Sequence, residues 1–68
     1  MTGEEFRAAR LALGLTQAEL AQDIESDVRT VRRWENNERE IPGPARVAMR
    51  LLSEAHAARP FGRHLSSV

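Results

Sequence analysis

Apolar residues recur along this chain at intervals of three and four, in four blocks separated by short polar stretches. In the first block Phe6, Ala9 and Leu13 share one side of a helix predicted over residues 3–13. Thr2 followed by Glu5 has the capping-box spacing that opens it. Gly14 stands where a left-handed C-terminal cap is wanted, with Leu15 as the apolar residue just beyond. Thr16 and Glu19 repeat the box, and Leu20, Ala21 and Ile24 supply the inward face of a second helix over 17–24. Only Glu25 and Ser26 then precede Asp27, a strong N-cap for a third helix over 28–35. Val31 and Trp34 form its buried stripe, and Asn36-Asn37 ends it, asparagine being second to glycine in left-handed caps.

Residues 38–43 read as a polar loop ending in Ile41-Pro42-Gly43. Pro44 suits the first position of a fourth helix, with Ala48, Leu51, Leu52 and Ala55 as its apolar face as far as about Ala58. Arg59-Pro60 should stop it. Residues 59–68 lack periodicity and read as a frayed tail, with Phe61 and Leu65 open to a partner contact. No strand-like alternation and no repeat is present. The class is all-α, with a domain over 1–58 and a tail over 59–68.

Sixty-eight residues allow one small core. A core of this size supplies about 3–5 kcal/mol, and the absence of cysteine removes disulfides and thiolate metal sites as staples. Dimerisation is the remaining source of burial. The longest apolar run in the first 20 residues is the three residues Leu11 to Leu13, far below the ~20 a membrane span needs. A cytoplasmic location is expected, with no membrane contact.

Net charge is zero but unevenly spread. Residues 1–27 carry six carboxylates against Arg7 and Arg10; residues 28–68 carry eight arginines against four glutamates. Every basic residue is arginine, whose planar fork binds phosphate or guanine bidentately. GC-rich coding produces the same bias with no functional meaning.

Two helices joined by a three- or four-residue turn describe a helix-turn-helix, which offers its second helix to the major groove of DNA. On a wheel of roughly 100° per residue, Val31 and Trp34 set the inward direction of the third helix. Arg29 and Asn36 then lie roughly 170° from it, and Arg32 and Arg33 roughly 130°. Arginine can pair with guanine, and Val28 on the flank can meet a thymine methyl. Asn36, together with Thr16 and Gln17 at the start of the second helix, suits phosphate oxygens. Against this, an arginine cluster on a short helix is more often a solvated face, and Asp27, Glu35, Glu38 and Glu40 lower the local potential. Asp27 is accounted for as a cap; Glu35 falls near the core side and needs a partner.

The run LGLTQAELA, then TVRRWEN, and onward through IPGPARVAMRLL resembles the Cro/C1-type helix-turn-helix proteins, the lambdoid phage repressors and regulators of the xenobiotic-response-element type. The resemblance covers roughly residues 5–55. It implies a compact four- to five-helix bundle of the lambda-repressor-like type, with the helix-turn-helix at helices 2 and 3. It places Gln17 at the groove edge, Asp27, Val28, Arg29 and Arg33 at or near base edges, and Thr30 and Asn36 on phosphates. It also pairs Arg10 with Glu35. Three positions depart from the pattern: Glu25 stands where the turn usually has glycine, Ser26 where an apolar residue is common, and Val28-Arg29 where Gln or Ser often reads bases. The fifth helix that completes many dimers has no clear counterpart here.

The resulting expectation is a sequence-specific DNA-binding regulator, a small dimeric repressor acting at a palindromic operator, with double-stranded DNA and a second copy as partners. No metal or cofactor is expected. Catalysis is not expected either: His56 and His64 flank Pro60 at a poor metal spacing, and Ser53, Glu54 and His56 point in different directions. Two other readings stay open. One is an antitoxin-type interaction module, docking a partner protein through Met49, Leu52 and Ala55 while also binding DNA. The other is an adaptor that has lost DNA binding.

Overall fold

The computed structural model describes residues 1–58. The expected chain stop at Arg59-Pro60 and the tail over 59–68, with Phe61, His64 and Leu65, lie outside the described residues. Four helices follow in order: α1 (Gly3–Ala12), α2 (Gln17–Asp23), α3 (Val28–Glu35) and α4 (Gly43–Ala58). No strand or fifth helix occurs among the described residues.

Local chemistry places the helix starts. Thr2 Oγ1 accepts from the Glu5 N–H at 3.1 Å, and the Thr2 N–H donates back to Glu5 Oε1 at 2.7 Å. Thr16 and Glu19 build the same reciprocal box at 3.1 and 2.8 Å. Asp27 Oδ1 accepts from the Thr30 N–H at 2.7 Å and opens α3. The fourth helix begins at Gly43, one residue before the expected Pro44. The Pro42 carbonyl accepts from both Ala45 and Arg46 there, and Pro44 lacks only an N–H that the first turn leaves unpaired anyway.

One device closes the first three helices. In each, the N–H two residues past the cap reaches back five residues, and the N–H before it reaches back three, which is the Schellman pattern. The bonds are Leu15 to Arg10 with Gly14 to Leu11, Ser26 to Ala21 with Glu25 to Gln22, and Glu38 to Arg33 with Asn37 to Trp34. The pivot residue is left-handed each time: Gly14 at φ 74°, Glu25 at 56° and Asn37 at 61°. Glu25 thus adopts the glycine-like conformation its position demands, at a cost of about 1–2 kcal/mol.

The core gathers Phe6, Leu13, Leu15, Leu20, Ala21, Val31, Trp34, Ile41, Ala45 and Met49, with Ala9, Ile24 and Leu52 packed against its edge. Phe6 meets Trp34 edge to face at a centroid distance of 5.7 Å. Helix α3 packs on α1 and α2, and α4 packs on α1. Two expectations need correction. The inward face of α4 is Ala45 and Met49, whereas Leu51 and Ala55 are exposed. Ile41, read as loop, is itself in the core just ahead of α4, on which Ala45 and Met49 continue the buried face.

Gly3 and Asn37 join the start of α1 to the end of α3. Asn37 Oδ1 accepts from the Gly3 N–H at 2.9 Å, and its Nδ2 donates to Glu4 Oε1 at 2.7 Å. That second bond is the main reason the Glu4 carboxyl sits below its usual range. A Cβ on Gly3 would lie 2.5 Å from the Trp34 carbonyl oxygen and 2.6 Å from that of Glu35, so only glycine lets the two helix ends approach this closely.

Candidate nucleic-acid interface

Helix α3 is held against rotation by a buried polar cluster at its C-terminal end. Arg10 Nε donates to Glu35 Oε2 at 2.7 Å and Nη2 to Oε1 at 3.1 Å, a bidentate pair with both side chains under one-tenth exposed. Arg10 Nη1 also donates to the Leu15 carbonyl at 2.9 Å, and Gln17 Nε2 donates to Glu35 Oε1 at 3.1 Å. One cluster therefore ties α1, the start of α2 and the end of α3. No buried side-chain nitrogen or oxygen among the described residues lacks a partner. The pair that the family resemblance implied is present, and Glu35 has the partner it needed.

With Glu35 buried beside Val31 and Trp34, the outward side of α3 shifts. Its centre now falls close to Arg29 and Arg33, each roughly 150–170° from the core direction, while Arg32 moves to the flank at roughly 110°. Arg29, Arg32, Arg33 and Asn36 are exposed, Val28 is 37% exposed and Thr30 is half-buried. The side chains of the three arginines make no hydrogen bond or ion pair with other described residues, and Arg29 and Arg33 act on the nearby Asp27 carboxylate only through longer-range attraction. They lie exposed on one surface.

The remaining expected site residues surround this surface, several of them already engaged. Thr16 Oγ1 serves as the α2 cap, leaving its own hydroxyl hydrogen to donate. Gln17 has given one amide N–H to Glu35, so only its second N–H can reach a phosphate. Asp27 has one oxygen bound to the Thr30 N–H. That bond, then the Thr30 side chain, and after these the charges of Arg29 and Arg33, hold its carboxyl below the usual range. Asn36 makes one long contact, Nδ2 to Glu38 Oε2 at 3.4 Å.

Beside α3 lies a cleft of about 280 Å³ lined by Thr30, Arg33, Trp34, Arg39, Glu40 and Pro42. Arg39 is the residue sequence reasoning passed over. Counting helical positions could not reach it, because it stands in the loop beyond Asn37. The turn that follows α3 returns it to the side of Arg33.

A tightly turned pair of helices, the second with a buried stripe on one side and exposed arginines on the other, is the geometry of a helix-turn-helix. The helix-turn-helix family matches residues 6–47 of this chain, more than half its length. The chain belongs to that family, in its Cro/C1-type form. It is a DNA-binding transcriptional regulator, with double-stranded DNA as its ligand. Neither a curated protein nor a solved structure matches the chain. The matched span of this helix-turn-helix protein runs from Phe6 in α1 to Val47 in α4 and so contains Arg10, Leu15, Gln17 and Glu35, the cluster that holds α3.

Proposed function

We propose that this regulator is a small cytoplasmic repressor that binds a palindromic operator as a homodimer, with residues 1–58 as its DNA-binding unit. The observation that carries the reading is the division of α3 into a buried side and an arginine side without internal partners. Arg29 and Arg33, at the centre of the outward face, read base edges, and Val28 offers a methyl contact. Asn36 beside that centre, Arg32 on one flank, and Thr30 and Arg39 on the other, hold phosphates and set register. Thr16 and Gln17 add a phosphate contact at the start of α2, and Asp27 accepts from a base amine near the N-terminus of α3. Occupying an operator suffices for repression. A two-fold dimer places half-sites about 34 Å apart, one helical turn.

The test is operator selection from random duplexes, followed by binding across a salt series. Affinity should fall by roughly 0.9 log unit per tenfold rise in salt for each phosphate neutralised. Arg29→Ala or Arg33→Ala should cost about 1–3 kcal/mol and relax one base position, whereas Arg39→Ala should weaken all sequences alike. A flat salt profile, or an unselective wild type, would overturn the reading.

The antitoxin alternative loses part of its basis, because Met49 is fully buried and Leu52 half-buried. Met49 cannot present a docking face while α4 stays seated, which leaves Ala55 and part of Leu52 accessible.

A further inference from the structure

We infer that the outward stripe of α4 is the surface on which a second copy of this chain docks, antiparallel and about a two-fold axis. The inference rests on the homodimer reading above and supplies its interface. Opposite the seated residues Ala45 and Met49, the positions Val47, Leu51, Glu54 and Ala58 fall within roughly 40° of the outward direction, and Arg50 within roughly 60°. Val47 is 44% exposed and Leu51 56%, so α4 carries a second apolar stripe on the side away from its own core. From Glu54 to Ala58 every residue is exposed. Among the described residues nothing packs over that end of the helix, and a short unsupported helical segment is marginal in water.

Charge selects the occupant. Arg50 and Glu54 stand one turn apart on this stripe, both 66% exposed, with Nε and Oε2 3.9 Å apart. A two-fold contact requires a surface complementary to itself. If the axis crosses α4 level with residue 52, Arg50 of each copy faces Glu54 of the other, Leu51 meets its own copy, and Val47 lies against the alanines near Ala58. A parallel copy would instead set Arg50 against Arg50. The stripe spans only about three turns of one helix and carries two large apolar side chains, Val47 and Leu51, whereas a stable interface engages about 20–30 residues a side. The free pair is therefore weak, and neighbouring half-sites on DNA complete it by raising the effective concentration.

The experiment is sedimentation velocity of the full 68-residue chain from micromolar to millimolar concentration, with helicity followed by circular dichroism. Wild type should dimerise reversibly. Arg50→Glu and Glu54→Arg should each weaken dimerisation tenfold or more, the two reversals together should restore it, and Leu51→Asp should abolish it, with helicity falling by no more than the last turn or two of α4. If wild type dimerises and these variants dimerise equally well, α4 is not the interface and the homodimer reading survives. A double reversal no better than the singles would likewise exclude α4 alone. A wild type that stays monomeric up to millimolar concentration overturns both.

Discussion

The two turns on either side of α2 use the same hydrogen bonds and opposite materials. Before α2, the left-handed pivot is Gly14 and the residue beyond it is Leu15, which is buried in the core. The Leu15 carbonyl is further held by Arg10. After α2, the pivot is Glu25 and the residue beyond is Ser26, half-buried and polar. The first turn is favoured by its own residues and clamped by a buried ion pair. The second takes its shape although Glu25 resists it, because Asp27 and α3 must begin directly afterwards with Val31 and Trp34 facing inward. A turn can therefore be set by local preference or by what it connects. In this protein the turn of the second kind is the one that joins α2 to α3 and sets the direction of α3.

The largest way to break the contrast is to remove the clamp. Arg10→Ala or Glu35→Ala leaves a buried charge without its partner and should cost about 3–5 kcal/mol. For a core this small that approaches the whole stability, so both variants should be largely unfolded by far-ultraviolet circular dichroism at 25 °C. Arg10→Met combined with Glu35→Leu should recover most of the loss; failure to do so would mean the cluster supplies more than charge pairing.

Gly14→Ala comes next. A Cβ there would meet nothing within 4 Å, so the penalty is purely conformational, about 1–2 kcal/mol. Urea denaturation should show a lower midpoint at an unchanged slope. A neutral result would show that the first turn does not depend on its glycine.

At the second turn the sign reverses. Glu25→Gly relieves the left-handed strain but adds freedom to the unfolded chain, for a net gain of about 0.5–1 kcal/mol. In a domain of this size that raises Tm by roughly 2–8 °C. A fall in Tm would mean that the Glu25 side chain contributes more than its backbone loses.

The smallest expected effect concerns Asp27, which opens α3 just past that turn. Its carboxyl is held below the usual range in the folded protein, mainly by the Thr30 N–H. Its contribution is therefore complete above the ordinary aspartate range and lost as pH falls through and below it. Asp27→Asn keeps a capping oxygen and should reduce the acid sensitivity of thermal unfolding, leaving the neutral-pH midpoint nearly unchanged. An identical pH profile in the variant would remove Asp27 from the acid response.

The helix starts and the residues of all three turns were legible along the chain. Each depends on partners within about five residues, which periodicity and capping chemistry expose directly. The outward arginines were legible for the same reason. Less legible was the centring of that face: Glu35 turns inward, and this moves Arg33 to the middle and Arg32 to the flank. Arg39, separated from α3 by a left-handed turn, could not be assigned a side at all.

What the sequence by itself determined, then, is where the first three helices begin and turn, where the fourth begins to within one residue, and that α3 has one apolar side and one cationic side. Tertiary structure alone decided that Gln17 shares Glu35 with Arg10, that Gly3 lies beneath the last carbonyls of α3, and that Met49 rather than Leu51 faces the core. The physical reason is reach. Caps and turns close over a few residues, whereas these contacts join positions 18 to 34 residues apart, or depend on which face a whole helix turns to the core.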